Sequence, residues 1–292
     1  MIRSSGSARR IFPAGIRLAV VGRALVGGFL GALALAFFAA RPASAAELKA
    51  REPQAAPSPP LRVCIVSGAN ESKPYSTDAS LRELADYLRT EHKMICEVLV
   101  ANAAGTGFEN IDRLLEADAA VFFVRRKKLD EHNLAVLRRF FASGKGVIAL
   151  RSTSHGFENW LEFDAEILGA RYGRDGTGNF GDTERLVFKP HAIWEGVVNP
   201  TAIGVALTTR RDIYRYTDFA TDLTVLLEAE TRNGTMPVAW TRIHDRTRIF
   251  YAGLGYSEEV ESPGYRQMIR NALFWVTNTK PPAPARQKKE ED

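Results

Sequence analysis

The chain has 292 residues, of which 45% are hydrophobic and 25% are charged, a composition typical of a globular protein. Its formal net charge of +5 arises in residues 1–45, which contain six arginines and no acidic residue. The remaining 33 basic and 34 acidic residues give a net charge of −1. The body therefore carries no basic surface, and we expect no nucleic-acid partner.

Residues 1–45 have the pattern of an export signal. A basic stretch precedes an apolar run of 17 residues from Ala24 to Ala40, and Ala43-Ser44-Ala45 forms a small-x-small cleavage site. Arg9-Arg10 resembles the twin-arginine export motif of bacteria. We expect cleavage near Ala45 and a periplasmic or extracellular protein. The alternative is a membrane anchor, because the run is only slightly shorter than the roughly 20 residues of a spanning helix.

Two further segments lie outside the predicted fold. Residues 46–60 contain four prolines and form a predicted linker. Residues 280–292 combine prolines with a run of charged residues and form a predicted disordered tail. The folded body is therefore expected over residues 61–279, with no internal repeat.

The first half of this body alternates strand and helix patterns. Short, continuous apolar runs predict strands that are covered on both faces, at residues 61–67, 95–100, 119–124 and 147–150. Helices are predicted between and after them, beginning near Thr77, at 111–116, at 130–143 behind an Asp130 cap, and within 158–168. Strands joined by crossovers of this length pair in parallel through right-handed βαβ units.

The second half has a different pattern. Residues 169–221 are rich in Gly, Thr, Asp and Arg and contain only short strand-like pieces, such as 186–188. A strand is predicted at 224–230, a hairpin at 237–243 and 248–252 with a polar turn between its strands, and a last helix at 263–277. The fold class is therefore α/β: a doubly wound, mainly parallel, flavodoxin-like sheet with an antiparallel extension.

The cysteines and the histidines limit the chemistry of the chain. Cys64 and Cys96 each lie in an apolar, strand-like run, so two buried thiols are expected, and a disulfide is the alternative if the strands are neighbours. The sequence contains no phosphate-binding glycine loop and no paired-ligand metal motif. No cofactor is evident, and a divalent metal stays an open alternative.

The stretch from Gly146 to Phe157 is the best candidate for a site. Four apolar residues end abruptly in Arg151, three hydroxyl residues and His155. In open α/β sheets, ligands bind beyond the carboxyl ends of the strands. A turn that caps the next helix is the alternative interpretation.

The motifs around this stretch resemble the trehalose-utilisation, ThuA-like family. The resemblance rests on residues 144–155, the Pro-Val-Ala-Trp element at 237–240, the Phe-Tyr-Ala-Gly-Leu-Gly element at 250–255, Asp212 to Tyr214, and the closing helix at 271–275. It covers residues 61–277 and implies a class I glutamine-amidotransferase-like fold. Amidotransferases carry a nucleophilic cysteine on the turn that here holds Arg151 and Ser152, so the resemblance implies no amidotransferase activity.

The sequence also departs from the family pattern. Tyr256 stands where family members often have a histidine, and Arg174 and Asp175 stand where another histidine is common. These departures weaken a mechanism based on a metal or on several histidines.

We therefore expect an exported protein that binds or transforms a carbohydrate or an oxidised sugar, and a non-catalytic binding or scaffolding module is the alternative. His155 is the candidate acid or base, because its ordinary pKa lies near neutral pH, and Arg151 is the candidate positioning group. The candidate ligand-binding residues are Ser152, Ser154, Asp212, Tyr214 and Tyr256. The expected partner is a sugar-like small molecule, with membrane contact only through an uncleaved N-terminal segment.

Overall fold

The computed structural model describes residues 59–173, 178–197 and 207–281. The predicted export signal, Arg174 and Asp175, and nearly all of the predicted linker and tail lie outside these ranges. No helix within them is both long enough and apolar enough to cross a membrane.

The described residues contain strands and helices throughout their length. The strands are β1 (Arg62–Gly68), β2 (Ile95–Val100), β3 (Ala119–Val124), β4 (Gly146–Leu150), β5 (Arg171–Tyr172), β6 (Asn179–Asp182), β7 (Arg185–Phe188), β8 (Asp212–Tyr214), β9 (Tyr216–Thr217), β10 (Thr224–Thr231), β11 (Gly234–His244) and β12 (Thr247–Ala252). The α-helices are α1 (Thr77–His92), α2 (Glu131–Phe141), α3 (Ser257–Val260) and α4 (Pro263–Val276). Short 3₁₀ helices occur at Ile111–Glu116, Arg151–His155 and Ala192–Trp194, and a π-helical turn at Asp164–Leu168.

Eight strands form the main sheet in the order β2-β1-β3-β4-β12-β11-β10-β7. The first five strands of this order pair in parallel, and the last three add in antiparallel fashion. Every residue of β3 and β4 is buried, because helices and loops cover both faces of the sheet. The predicted α/β class is confirmed, with a flavodoxin-like parallel part and an antiparallel extension.

The hairpin of β11 and β12 joins the two parts of the sheet. His244 pairs with Thr247, so the turn consists of Asp245 and Arg246, and Asp245 has a positive φ of 53°. One edge of β12 pairs with β11, and its other edge pairs in parallel with β4. As a result, the chain leaving β12 emerges beside the turn that follows β4.

The helices largely follow the predicted pattern. The Asp130 carboxylate accepts a hydrogen bond of 2.8 Å from the Asn133 amide and caps α2 as expected. Between 158 and 168 the structure has only the π-helical turn, which ends at Gly169 with a φ of 79°. Two short two-stranded sheets, β5 with β9 and β6 with β8, occupy the region where the sequence signal is weak.

The two cysteines are free and buried, as expected. In the parallel register Cys96 lies opposite Val63 and not opposite Cys64. Since side chains alternate between the two faces of a sheet, the thiols lie on opposite faces and cannot form a disulfide. Burial raises the pKa of Cys64 to about 12 and that of Cys96 to about 11.

We expect both thiols to be unreactive in the folded protein. Without reductant, a thiol reagent such as Ellman's reagent should titrate no cysteine in the native protein and two cysteines in 6 M guanidinium chloride, because burial disfavours the reactive thiolate. The thermal midpoint should be unchanged by dithiothreitol. A drop in the midpoint with reductant, or the absence of titratable thiols after denaturation, would contradict the register.

Candidate functional site

The turn after β4 is strained and tied to the neighbouring strand. Arg151 directly follows Leu150 and has a φ of 38°, a left-handed conformation that is uncommon for any residue other than glycine. The Ser152 hydroxyl donates to the Val124 carbonyl at 3.0 Å, and the Thr153 hydroxyl donates to the Phe122 carbonyl at 2.8 Å. Both hydroxyls are fully buried, so Ser152 lies at the predicted position but uses its hydroxyl to anchor the turn.

The side chain of Arg151 is 1% exposed, and all its N–H groups have partners within the protein. Nε donates to the Tyr75 hydroxyl (3.2 Å), and Nη1 donates to the carbonyls of Asp212 (3.2 Å) and Gly253 (2.9 Å). Nη2 donates to the Asp212 carboxylate (3.4 Å) and the Tyr256 hydroxyl (2.7 Å). A guanidinium has five N–H donors, and these five bonds use them all. Arg151 therefore holds the surrounding segments together and offers no donor to a ligand.

Three predicted residues surround this guanidinium. The Tyr256 hydroxyl donates to the Asp212 carboxylate in a short hydrogen bond. Burial raises the pKa of Tyr256, so its phenol stays protonated and keeps this donor role. The rings of Tyr256 and Tyr214 lie 4.1 Å and 4.4 Å from the Arg151 guanidinium carbon. Arg151, Asp212, Tyr214 and Tyr256 thus form one connected group, which we call the Arg151 cluster.

The close packing of the cluster requires a glycine at one position. Gly255 has a φ of 156°, and a Cβ there would lie 3.0 Å from the Phe123 ring and 3.3 Å from Arg151 Cβ. A larger residue would force the chain after β12 away from the guanidinium. The glycine of the Leu-Gly element is therefore explained by this close approach.

His155 lies next to the Arg151 cluster but outside it. Its ring stacks on Tyr172 with centroids 4.1 Å apart and meets the edge of Tyr214 at 5.3 Å. Ser154 Oγ donates to the Arg151 carbonyl at 3.2 Å and lies 3.4 Å from His155 Nδ1. The serine hydroxyl therefore lies between the Arg151 carbonyl and the imidazole, and these heavy-atom positions fit either neutral tautomer of His155.

The imidazole is neutral over the physiological pH range. Burial lowers the pKa of His155 to about 3, and the positive charges of Arg126, Arg125 and Arg151 add to the effect. A neutral imidazole can accept a proton or a hydrogen bond but cannot serve as a general acid at neutral pH.

An open cleft of about 630 Å³ adjoins this imidazole. The cleft lies beyond the carboxyl ends of β3 and β4. Its walls are mostly aromatic or acidic and are formed by Arg126, Ser154, His155, Gly156, Phe157, Glu158, Trp160, Leu161, Glu162, Phe163, Asp164, Tyr172 and Gly173. Arg151, Asp212 and Tyr256 do not line it, so the structure separates the predicted site into a closed cluster and an open cleft that meet at Tyr214.

Tyr75 and Tyr172 are the main residues that the sequence interpretation missed. Tyr75 enters the Arg151 cluster from the loop after β1, where its hydroxyl lies 2.8 Å from that of Tyr214. Tyr172 forms the floor beneath His155 and packs so closely on Gly178 that a Cβ there would lie 2.0 Å from the phenol oxygen. Six of the eight tyrosines in the chain meet in this region, namely Tyr75, Tyr172, Tyr214, Tyr216, Tyr251 and Tyr256. Four of the six lie within strands and two in loops, so no common pattern in the sequence marked them.

The described residues contain no group of three or more His, Cys, Asp or Glu side chains that could hold a metal ion. One imidazole and the side chains of Glu158, Glu162 and Asp164 line the cleft. The geometry therefore provides hydrogen-bonding and stacking groups, and no preformed metal cage within the part of the chain described.

The sheet order and the turn after β4 define a flavodoxin-like α/β protein in which a buried arginine begins that turn. The trehalose utilisation (ThuA) family model matches residues 62–276, and the chain belongs to this family. No curated protein matches the sequence.

Solved structures agree with this fold. A ThuA-like protein of Bacteroides uniformis is similar with a TM-score of 0.56 and 12% identity, over 77% of this chain and 94% of that one. A ThuA-like protein of Parabacteroides merdae gives 0.54 and 13%, over 75% and 90%. A cytoplasmic protein of Salmonella typhimurium gives 0.50 and 13%, over 75% and 98%. At such identities the likeness concerns the fold alone.

We expect Arg151→Met to lower the free energy of unfolding by about 3 kcal/mol or more, because it leaves the carbonyls of Asp212 and Gly253 without their Nη1 donor and removes the ion pair with the partly exposed Asp212 carboxylate. Urea denaturation measures this loss. The matched control is Arg211→Met, since Arg211 covers Tyr256 at 4.8 Å but is 54% exposed in its ion pair with Glu258. The control should lose far less, because an exposed ion pair contributes little to stability. Equal losses in both variants would contradict the central role of Arg151.

We expect His155 to make stability depend on pH below neutrality. The folded protein keeps the imidazole neutral down to about pH 3, whereas the unfolded chain binds a proton near pH 6.5. The unfolded state thus binds more protons in this window, so the free energy of unfolding falls as pH is lowered, by at most about 1.4 kcal/mol per unit from this residue. His155→Gln should reduce the slope measured by urea denaturation between pH 6.5 and 4. His132→Gln, at a site 62% exposed, should leave it unchanged. Equal slopes for the wild type and His155→Gln would contradict the assignment.

Proposed function

We propose that this ThuA family protein binds a carbohydrate or an oxidised sugar in the cleft beside His155. The observation that carries the proposal is the neutral imidazole, stacked on Tyr172 and placed at the wall of an open cleft beyond the strand ends. The family description, trehalose utilisation, supports a sugar-like ligand.

The lining of the cleft suits a ligand that has both hydroxyl groups and apolar C–H faces. The neutral imidazole of His155 can accept a hydrogen bond from a hydroxyl, and the half-buried ring of Tyr172 offers an aromatic surface. Leu161 is 73% exposed at the same cleft and extends the apolar wall. Pockets with apolar walls and a few directed polar groups are typical of small-molecule sites.

A transformation of the ligand would use His155 as the proton acceptor. An oxidised sugar has C–H bonds that are acidified by the adjacent carbonyl. A neutral imidazole in contact with such a position would take that proton to give an enediolate, and the imidazolium would return it to the former carbonyl carbon while the hydroxyl proton passes to the former carbonyl oxygen, which completes an isomerisation. Hydrolysis and hydration remain further reaction classes for the same base. Glutamine hydrolysis is outside this proposal, because Arg151 occupies the nucleophile turn and both cysteines are buried within β1 and β2.

A non-catalytic binding module is the second candidate, and two features of the site favour it. The charges around His155 reduce its basicity, while Arg151 has no free donor to stabilise a developing negative charge. Such a site would hold a ligand without changing it.

The proposal also includes export. The basic start, the apolar run and the Ala43-Ser44-Ala45 site support a secreted or periplasmic location with cleavage near Ala45, and a membrane-anchored form is the alternative. The net charge of −1 in the rest of the chain is consistent with a small-molecule partner.

We expect a thermal-shift screen of sugars and oxidised sugars to yield at least one stabilising ligand. A ligand at ten times its Kd adds about 1.4 kcal/mol, or roughly 3–5 °C for a domain of this size. His155→Ala should remove the shift, and the matched control His132→Ala should retain it. Chromatography of the incubated ligand then separates the candidates, since a new product indicates an enzyme and unchanged ligand indicates a binding module. No shift with any sugar, or a shift that persists in His155→Ala, would reject the proposal.

A further inference from the structure

The sheet has a topological switch point between β1 and β3. From β1 the chain crosses to β2 on one side, and it then returns to β3 on the other side. Loops that leave such neighbouring strands diverge and create a crevice at their carboxyl ends. The residues that follow β1 and β3 are therefore the first place to look for groups that select a ligand.

Four consecutive cationic residues leave β3 at this point. The run is Arg125-Arg126-Lys127-Lys128. The Arg125 amide donates to the Gly68 carbonyl at 3.0 Å, and the Lys127 amide donates to the Gly156 carbonyl at 2.7 Å. The run is thus fixed between the end of β1 and the turn that carries His155.

The backbone holds Arg126 in a strained conformation beside the imidazole. Arg126 has a φ of 47°, and its amide donates to the His155 carbonyl at 3.3 Å. Its side chain lines the same cleft as His155 and Tyr172. A left-handed arginine is unfavourable unless the surrounding structure imposes it, and such residues concentrate at functional sites.

The cations of the run differ in whether they are neutralised. Lys127 forms an ion pair of 3.3 Å with Glu71. Within the described residues, the side chains of Arg125 and Arg126 have no hydrogen-bond or ion-pair partner; Arg126 is exposed, and Arg125 is partly exposed. Arg126 therefore has guanidinium donors available for a charge-assisted hydrogen bond to an anionic ligand in the cleft, and Arg125 adds positive charge beside it.

Two of the three carboxylates that line the cleft have partners, and the third, that of Glu158, belongs to a residue whose amide donates to the Lys127 carbonyl at 2.9 Å. Glu162 pairs with Arg171 at 3.0 Å, and Asp164 accepts hydrogen bonds from the amides of Ala165 and Tyr172 at 2.7 and 2.8 Å. Glu158 is exposed. After burial, the charges that lower the pKa of His155 are all arginines, so the potential at the imidazole is positive.

We propose that the ligand of this cleft is a sugar that carries an anionic oxygen group, a carboxylate or a phosphate, which Arg126 binds while Arg125 adds a second positive charge. This inference rests on the proposed sugar site and specifies its substrate class. The sugar ring lies over Tyr172 and His155, and the anionic group points toward the switch point. Neutral sugars of the same ring bind more weakly, because they leave both guanidinium groups without a counter-ion.

Isothermal titration calorimetry on the purified protein tests this with three ligands that share one ring: glucose, glucuronate and glucose 6-phosphate. We expect at least one charged ligand to bind roughly tenfold more tightly than glucose or better. Arg126→Gln should remove this preference without changing the thermal midpoint. Lys128→Gln, which removes the same charge from an exposed neighbour outside the cleft lining, should preserve it. Comparison of the affinities for glucuronate and glucose 6-phosphate shows whether the site prefers a carboxylate or a phosphate.

The outcomes separate this inference from the proposed site. Equal affinities for charged and neutral sugars in the wild type, or a preference that survives Arg126→Gln, would overturn the inference while leaving the sugar site intact. Inorganic phosphate that binds as tightly as glucose 6-phosphate, with no effect of His155→Ala, would overturn it as non-specific anion binding. Loss of the preference in Arg126→Gln and its retention in Lys128→Gln supports it. No binding of any sugar would reject the site itself.

Discussion

One buried guanidinium organises the carboxyl end of the sheet. Arg151 has five N–H donors, and burial makes each of them costly unless it is paired. The partners come from the loop after β1, from β8 and from the chain after β12, so three segments distant in sequence must converge on one side chain. The Arg151 cluster forms because the guanidinium charge can be buried only with these hydrogen-bond partners around it.

This requirement also decides where a ligand can bind. In a protein with a nucleophile on this turn, the residue after the strand faces substrate. Here Arg151 occupies that position, and all its N–H donors are already paired. The open cleft lies beside His155, four residues further along the chain. Arg151 still influences that space, because its charge helps to hold the imidazole neutral. The structural cluster and the candidate binding site are therefore electrostatically coupled.

The fold was largely predictable because its signals are local. A continuous apolar run needs cover on both faces, as β3 and β4 show, and the Asp130 cap follows from the chemistry of the first free amides of a helix. The polar turn between two strand patterns correctly predicted the hairpin of β11 and β12. The segment 158–168 was less clear because its aromatic residues pack on a neighbouring helix and on each other: Trp160 and Phe163 both contact Phe141. A regular helical stripe was not required there.

The sequence by itself determined the class of fold, the family, the buried state of the cysteines and the turn that borders the candidate site. The tertiary structure decided which side chains of that turn line an open cleft. Arg151 and His155 are four residues apart and both are polar, yet one is closed within phenols and carbonyls and the other lines an open cleft. That difference depends on Tyr75, Tyr172 and Asp212, which reach the turn from distant segments. Exposure and pKa are properties of such surroundings, and residue type and spacing alone do not encode them.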